Sequence, residues 1–200
     1  YPIQIMFGPA EVMIHLEALM QVRHIYTDGR AHPEDPTPTF NGHSIGHWEG
    51  DTVMGSDMRH CVLTLVERKT GYTIIKKLTA RNKEQASLAS VQAVVEHQRR
   101  FKTITFDNGT EFHDYKELEK DGGPTCYFAT PYHSWERGTN ENTNGLIRQY
   151  LPKGKCLANV SQAQCDWIAD ELNPRPRKRF DFQTPETIYK KSERSVALAS

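Results

Sequence analysis

The chain has 200 residues, of which 37% are hydrophobic, and its 25 basic and 25 acidic side chains cancel to a formal net charge of zero. That length supports one real core with a small appendage, and the null net charge by itself argues neither for nor against a nucleic-acid partner. There is no apolar run long enough to cross a membrane and no visible cleavable leader, and the four cysteines, set far apart with no C-x-x-C pair, speak against a structural zinc site and a disulfide scaffold.

The average hides an asymmetry. Residues 1–50 hold two Arg, no Lys and six acids, a net of −4, whereas residues 51–200 hold 23 basic and 19 acidic residues, a net of +4. From residue 51 onward the composition is that of a reduced, soluble, cytoplasmic domain. Residues 1–46 are expected to form a β-rich segment outside the core, residues 47–190 the core itself, and residues 191–200 a flexible tail.

Residues 1–28 carry partial alternation broken at Gly8-Pro9 and Asp28-Gly29, which predicts three short antiparallel strands, with a helix over residues 10–20 as the competing reading. The prolines of A-H-P-E-D-P-T-P-T-F-N-G-H make an extended, solvated connection. His43 and His47 lack the Cys or carboxylate frame of a metal site and read as solvated.

From Trp48 the pattern becomes regular. W-E-G-D-T-V-M reads as a strand carrying Asp51, H-C-V-L-T-L-V-E-R as a richly β-branched second strand, and Y-T-I-I-K-K-L as a third after the K-T-G-Y turn. Asn82 caps a helix to about Arg100, with Ala86, Leu88, Ala89, Val91, Val94 and Val95 as its apolar side. Thr103–Phe106 is a fourth strand, ending on Asp107 before the Asn108-Gly109 turn. A short charged helix over residues 113–120, a fifth strand over residues 125–129 and a helix over residues 139–150 follow, with Glu141 in the first turn of the last. Ser161 opens a further helix with Cys165, Ile168, Ala169 and Leu172 buried. This order predicts an α/β fold, a mixed five-stranded sheet flanked by helices, as in the ribonuclease H-like fold.

A carboxylate at a strand end and another on a helix are a common way to build a divalent-metal site, because hard cations want oxygen ligands held by separate rigid elements. Asp51, Asp107 and Glu141 are the candidates. Glu111, four residues past Asp107, reads as either a neighbour of that site or a merely exposed acid, and Glu49 as pointing elsewhere. Trp135, Arg137, Asn140 and Asn144 cluster around Glu141. Asn144, Gly145 and Arg148 share its helix face, where Arg148 reads equally as a phosphate contact or as one half of an exposed salt bridge. N-P-R-P-R-K-R-F sets Arg175, Arg177, Lys178 and Arg179 within five residues, and its prolines suggest an extended basic track suited to a DNA backbone.

Residues 48–190 resemble the catalytic core of insertion-sequence-30 family transposases. The words that carry the resemblance are W-E-G-D-T-V, T-L-V-E-R-K-T, T-F-D-N-G-T-E-F, Y-F-A-T-P-Y-H-S-W-E-R-G-T-N-E-N-T-N-G-L-I-R-Q-Y, R-P-R-K-R and T-P-E. The resemblance implies an acidic triad at Asp51, Asp107 and Glu141 that holds two Mg²⁺ ions, with Mn²⁺ able to substitute. It further implies metal-dependent DNA strand cleavage and 3′-hydroxyl strand transfer, transposon ends and target DNA as partners, a homo-oligomer on DNA, and no membrane. Two Mg²⁺ ions suit such an in-line displacement because they stabilise both the attacking and the leaving oxygen.

Residues 1–47 depart from that family. Nothing in them reads as its end-binding helix-turn-helix, so a catalytically inactive DNA-binding remnant is the alternative. The stretch from Arg23 to Thr52 is instead similar to a group of uncharacterised, exported bacterial proteins. H-W-E-G-D-T fits both groups, which suggests a chimera joined there.

Overall fold

The computed structural model describes residues 3–7, 9, 11–16, 21–26, 44–45, 48–97, 101–120, 123–130 and 138–197. They divide into two compact units, residues 1–47 and 48–200. In the first unit, β1 (Ile3–Phe7), β2 (Glu11–Leu16) and β3 (Gln21–Tyr26) form an antiparallel meander, and the two-residue β4 (Ser44–Ile45) adds in parallel to β3. The helical reading of residues 10–20 is therefore wrong: residues 12–16 pair residue for residue with β1, and residues 11–16 with β3.

The second unit is built on five strands: β5 (Trp48–Met54), β6 (Cys61–Glu67), β7 (Thr73–Leu78), β8 (Thr103–Phe106) and β9 (Thr125–Phe128). Their order across the sheet is β7-β6-β5-β8-β9. The first three form an antiparallel meander, while β8 and β9 run parallel to β5. Parallel pairing demands crossovers, and α1 (Lys83–Glu96) and α2 (Lys116–Glu119) lie in those connections. α3 (Gly138–Ile147), α4 (Gln162–Leu172) and α5 (Pro185–Ala197) follow.

Both faces of the sheet are covered, so strand alternation sorts residues between two cores rather than between core and water. One core gathers Trp48, Leu63, Leu65, Ile104 and Phe106 with Ala86, Ala89 and Ala93 of α1. The other gathers Val53, Val62 and Ile75 with Ile147, Cys165, Ile168 and Leu172. Gly50 belongs to the first face. A Cβ there would sit 2.5 Å from the Phe106 ring, so only glycine lets that ring cross β5. Tyr189 of α5 stacks on Tyr72 at 4.1 Å and meets Trp48 edge-on at 5.9 Å.

Helix starts follow local chemistry. The Asn82 side chain accepts from Gln85 N at 2.9 Å, and Ser161 Oγ accepts from Gln164 N at 3.2 Å, each meeting a backbone donor that the first helical turn leaves open. The apolar side of α1 differs from expectation. Its buried residues are Ala86, Ala89, Ser90 and Ala93, whereas Leu88 and Val95 are each 56% exposed. Positions 86, 89, 90 and 93 make one i, i+3, i+4, i+7 stripe, and Leu88 and Val95 lie off it. The helix expected at residues 113–120 shortens to α2 behind a 3-10 turn at Thr110–Phe112. Residues 191–197, expected in a tail, belong to α5. Among the described residues no helix is long and apolar enough to cross a membrane.

Candidate active site

The parallel register of β5 and β8 pairs Trp48 with Ile104, Glu49 with Thr105 and Gly50 with Phe106. Asp51 and Asp107 are the next residue on each strand. Side chains alternate across a sheet, so continuing that register puts both on the face opposite the Gly50–Phe106 contact. Each carboxylate is steadied by nearby backbone: Thr52 N donates to Asp51 Oδ1 at 2.8 Å and Gly109 N to Asp107 Oδ1 at 3.1 Å. The second of these closes the Asp107-Asn108-Gly109 turn as an Asx motif.

Helix α3 packs on this face against β5 and β6. Two asparagines four positions apart, one helical turn, meet two acids two positions apart on β5. Asn140 N donates to Glu49 Oε2 at 2.7 Å and its Nδ2 to Glu49 O at 3.1 Å, while Asn144 Nδ2 donates to Asp51 Oδ2 at 3.1 Å. The spacings match because four helical residues rise about 6 Å and two strand residues about 6.6 Å. Thr64, paired with Asp51 across β6, puts its hydroxyl 3.0 Å from Asn140 Oδ1 and 3.1 Å from Asn144 Oδ1. Glu49 is thus not aimed elsewhere. Residues i and i+2 share a strand face, and Glu49, 1% exposed, also pairs with Arg68.

Glu141 follows the docked Asn140 in the first turn of α3 and is exposed. Asp51 and Asp107 are half-buried. Among the described residues, the three carboxylates do not all lie within 4.8 Å of one another.

A fourth acid adjoins them. Glu111 is 2% exposed, which settles the choice that the sequence left open. Its Oε1 accepts from Thr52 Oγ1 at 2.9 Å and from Arg81 Nε at 2.8 Å. Burial pushes this carboxyl up, but the hydrogen bonds from Arg81 and Thr52 and the charge of Arg81 outweigh it and hold it below the ordinary value. Oε2 is buried without a hydrogen-bond partner. A Cβ on Gly109 would lie 2.5 Å from that oxygen and 2.9 Å from Asp107 Oδ1, so both atoms border the room this glycine leaves. Arg81 has no motif signal of its own in the sequence. In the sequence Glu111 is signalled by its place four residues past Asp107.

These groups fit a hard divalent cation. The donors are carboxylate oxygens from the middle of β5, the end of β8 and a helix, and a buried carboxylate oxygen lies unsatisfied beside Asp107.

The residues expected at DNA sit differently from one another. Arg137 and Trp135, like His43 and His47, lie outside the described residues. Asn144 is engaged with Asp51 and Thr64. Arg148 Nη1 donates to Met54 O at 3.0 Å and to Leu151 O at 3.4 Å, so it ties the end of β5 to the chain after α3 rather than forming a surface salt bridge. The basic stretch is not an extended track. It turns through a 3-10 segment at Lys178–Phe180, and Asp181 and Phe182 take left-handed backbone angles, φ 50° and 62°. Arg175 bonds Gln149 and the Tyr150 hydroxyl, and Arg177 Nη2 donates to Leu172 O at 3.2 Å. Arg179 lies over the Phe180 ring at 4.5 Å, and Lys178 is exposed.

No family model matches the chain. Curated relatives do. The chain is 44% identical over 159 residues to transposase InsI for insertion sequence element IS30A of Escherichia coli (strain K12), a match covering 79% of this chain and 40% of the relative. It is 43% identical over 158 residues to the transposase for insertion sequence element IS4351 of Bacteroides fragilis, covering 78% of this chain and 48% of that one. The chain therefore spans less than half the length of these curated relatives. Among solved structures, the catalytic core domain of BIV integrase superposes with a TM-score of 0.57 at 20% identity, covering 75% of this chain and 97% of that domain. Over about four-fifths of its length the chain is thus homologous to transposases of insertion-sequence elements, and its five-stranded sheet is the ribonuclease H-like fold seen in that integrase domain.

Proposed function

We propose that the chain is the catalytic core of a DNA transposase, cleaving DNA strands and transferring the resulting 3′-hydroxyl into target DNA. The observation that carries this reading lies where β5 pairs with β8 and α3 packs on β5. Two aspartates stand one residue past paired strand positions, and Asn144 of the helix holds one of them, Asp51. Asp51, Asp107 and Glu141 would hold Mg²⁺, with Mn²⁺ able to replace it; bound there, the ions would activate the attacking oxygen and stabilise the leaving one.

The chain's own groups fix the geometry. Asn144 and the Thr52 N–H bind opposite oxygens of Asp51, which sets the plane of its carboxylate. The Gly109 N–H orients Asp107. Arg81, 39% exposed, neutralises Glu111 and so limits the negative charge beside the incoming phosphate. Exposed Lys178 and Arg179 offer positive charge to a DNA backbone. Moving an element involves both its ends, which favours a homo-oligomer on DNA, and the substrate places the work in the cytoplasm.

The test is strand transfer. Labelled duplex with free 3′-hydroxyl ends is incubated with supercoiled plasmid, the chain and Mg²⁺ or Mn²⁺. Label joined to plasmid supports the proposal. DNA binding with neither nicking nor joining under either ion supports the inactive remnant instead.

A further inference from the structure

A second constellation of donors lies away from the carboxylates described above. Among the described residues, Asp57, His60 and Cys156 form the group of His, Cys, Asp or Glu whose ligand atoms all lie within 4.8 Å of one another. Asp57 and His60 belong to the turn joining β5 to β6, and Cys156 to the connection between α3 and α4. His60 Nδ1 is 2.5 Å and Cys156 Sγ 3.2 Å from Asp57 Oδ2.

The backbone prepares these groups. Arg59 N and His60 N both bind Asp57 Oδ1, at 3.3 and 3.1 Å, which turns Oδ2 toward the imidazole and the thiol. Ala158 N donates to Cys156 Sγ at 3.4 Å, which holds the sulfur in place beside Asp57. The two loops are joined directly by Ser56 N to Lys155 O at 3.0 Å. Met58, at the tip of the turn, takes a left-handed φ of 56°, so the chain folds tightly around Asp57 despite lacking a glycine there.

From this geometry we infer that Asp57, His60 and Cys156 bind a borderline transition-metal ion of the Zn²⁺ class. One nitrogen, one oxygen and one sulfur donor suit such an ion and not the hard Mg²⁺ of an all-oxygen site. Tetrahedral Zn²⁺ bonds set neighbouring ligand atoms roughly 3.4–3.6 Å apart. The S–O separation is already close to that, and the N–O pair needs only to open by about 1 Å. Side chains about a quarter exposed, 24% for His60 and 28% for Asp57, give the ion access and leave the fourth position to water. The bound ion staples the β5–β6 turn to the α3–α4 connection. Arg148 already ties Met54 to Leu151 beside it, so the ion and Arg148 brace the end of the strand that carries Asp51. The absence of any C-x-x-C pair hides the site from the sequence, since Asp57 and Cys156 are 99 positions apart.

Co²⁺ makes the site visible. The full 200-residue chain, reduced and titrated with Co²⁺, should develop four-coordinate visible bands together with a thiolate-to-metal charge-transfer band, saturating at a single ion per chain and bleached by Zn²⁺. Cys156→Ser, at an exposed position, should lose the charge-transfer band. His60→Ala should lose the four-coordinate spectrum, and Asp51→Asn should keep both. Zn²⁺ should raise the melting temperature of the parent and leave that of Cys156→Ser unmoved. A folded parent that shows no charge-transfer band at millimolar Co²⁺ would overturn the inference. So would a band that persists in Cys156→Ser or His60→Ala, or one that disappears in Asp51→Asn.

Discussion

Asn144 Nδ2 donates to Asp51 Oδ2 at 3.1 Å, and its own carbonyl oxygen lies 3.1 Å from the Thr64 hydroxyl. The amide is thus clamped by β6 and presented to β5, and its orientation is fixed because only its NH₂ can serve a carboxylate. An asparagine expected at DNA instead sets the angle of the Asp51 carboxylate.

Replacing Asn144 by Ala should therefore leave the fold intact and weaken divalent-ion binding or cleavage by about 10- to 100-fold, the usual cost of losing a group that orients a metal ligand. Mn²⁺ titration followed by electron paramagnetic resonance measures the loss directly. Unchanged Mn²⁺ affinity would show that Asp51 needs no such clamp.

Glu49 anchors the same helix through Asn140 and is paired with Arg68, whose side chain is 8% exposed. Glu49→Ala takes the buried carboxylate away from Arg68 and leaves the Asn140 N–H without this acceptor. Unfolding in urea should show a loss of roughly 3–5 kcal/mol, the range for breaking one side of a buried ion pair. A loss below about 1 kcal/mol would mean that the pair is hydrated in solution.

Glu111 gives a pH signature. Its folded pKa lies below the unfolded value near 4.3, so its stabilising contribution is complete above that value and is lost as pH falls through the folded pKa. Glu111→Gln removes this dependence. The stability gap between parent and variant should be widest at neutral pH and should narrow as pH falls below about 4. Melting temperatures measured from pH 7 downward test this, and a gap that grows in acid would contradict it.

The basic turn separates two roles. Lys178→Ala should weaken DNA binding similarly for all sequences and flatten its salt dependence, because it removes a phosphate contact and no buried bond. Arg177→Ala should in addition lower the melting temperature, since Arg177 donates to Leu172 O at the end of α4. Fluorescence anisotropy across a salt series and a thermal melt of each variant check both statements.

How much of this could be read from the chain depends on the range of the interaction. Asp107 ahead of Asn108-Gly109, Asn82 and Ser161 as helix caps, and Glu141 in an opening turn are local features, and the pattern of neighbouring residues carries them. Glu49, Glu111 and Arg148 are defined by partners 30 or more positions away: Asn140 at 91, Arg81 at 30 and Met54 at 94. Nothing local says that an acid is buried when its partner is that remote. The R-P-R-K-R stretch misled for a related reason. Its prolines suggested extension, while the Arg177 N–H to Gln183 O bond and the left-handed Asp181 and Phe182 close it into a turn.

The central claim is that Asp51, Asp107 and Glu141 serve one metal-dependent cutting reaction. The direct measurement is Mn²⁺-dependent nicking of supercoiled DNA by the parent and by Asp51→Asn, Asp107→Asn and Glu141→Gln, each shown to be folded and DNA-bound. The account predicts that the parent nicks and that all three variants fall to background, because each keeps its shape and loses only the charge that the ions require. A variant that nicks as fast as the parent would remove its residue from the site and contradict the triad.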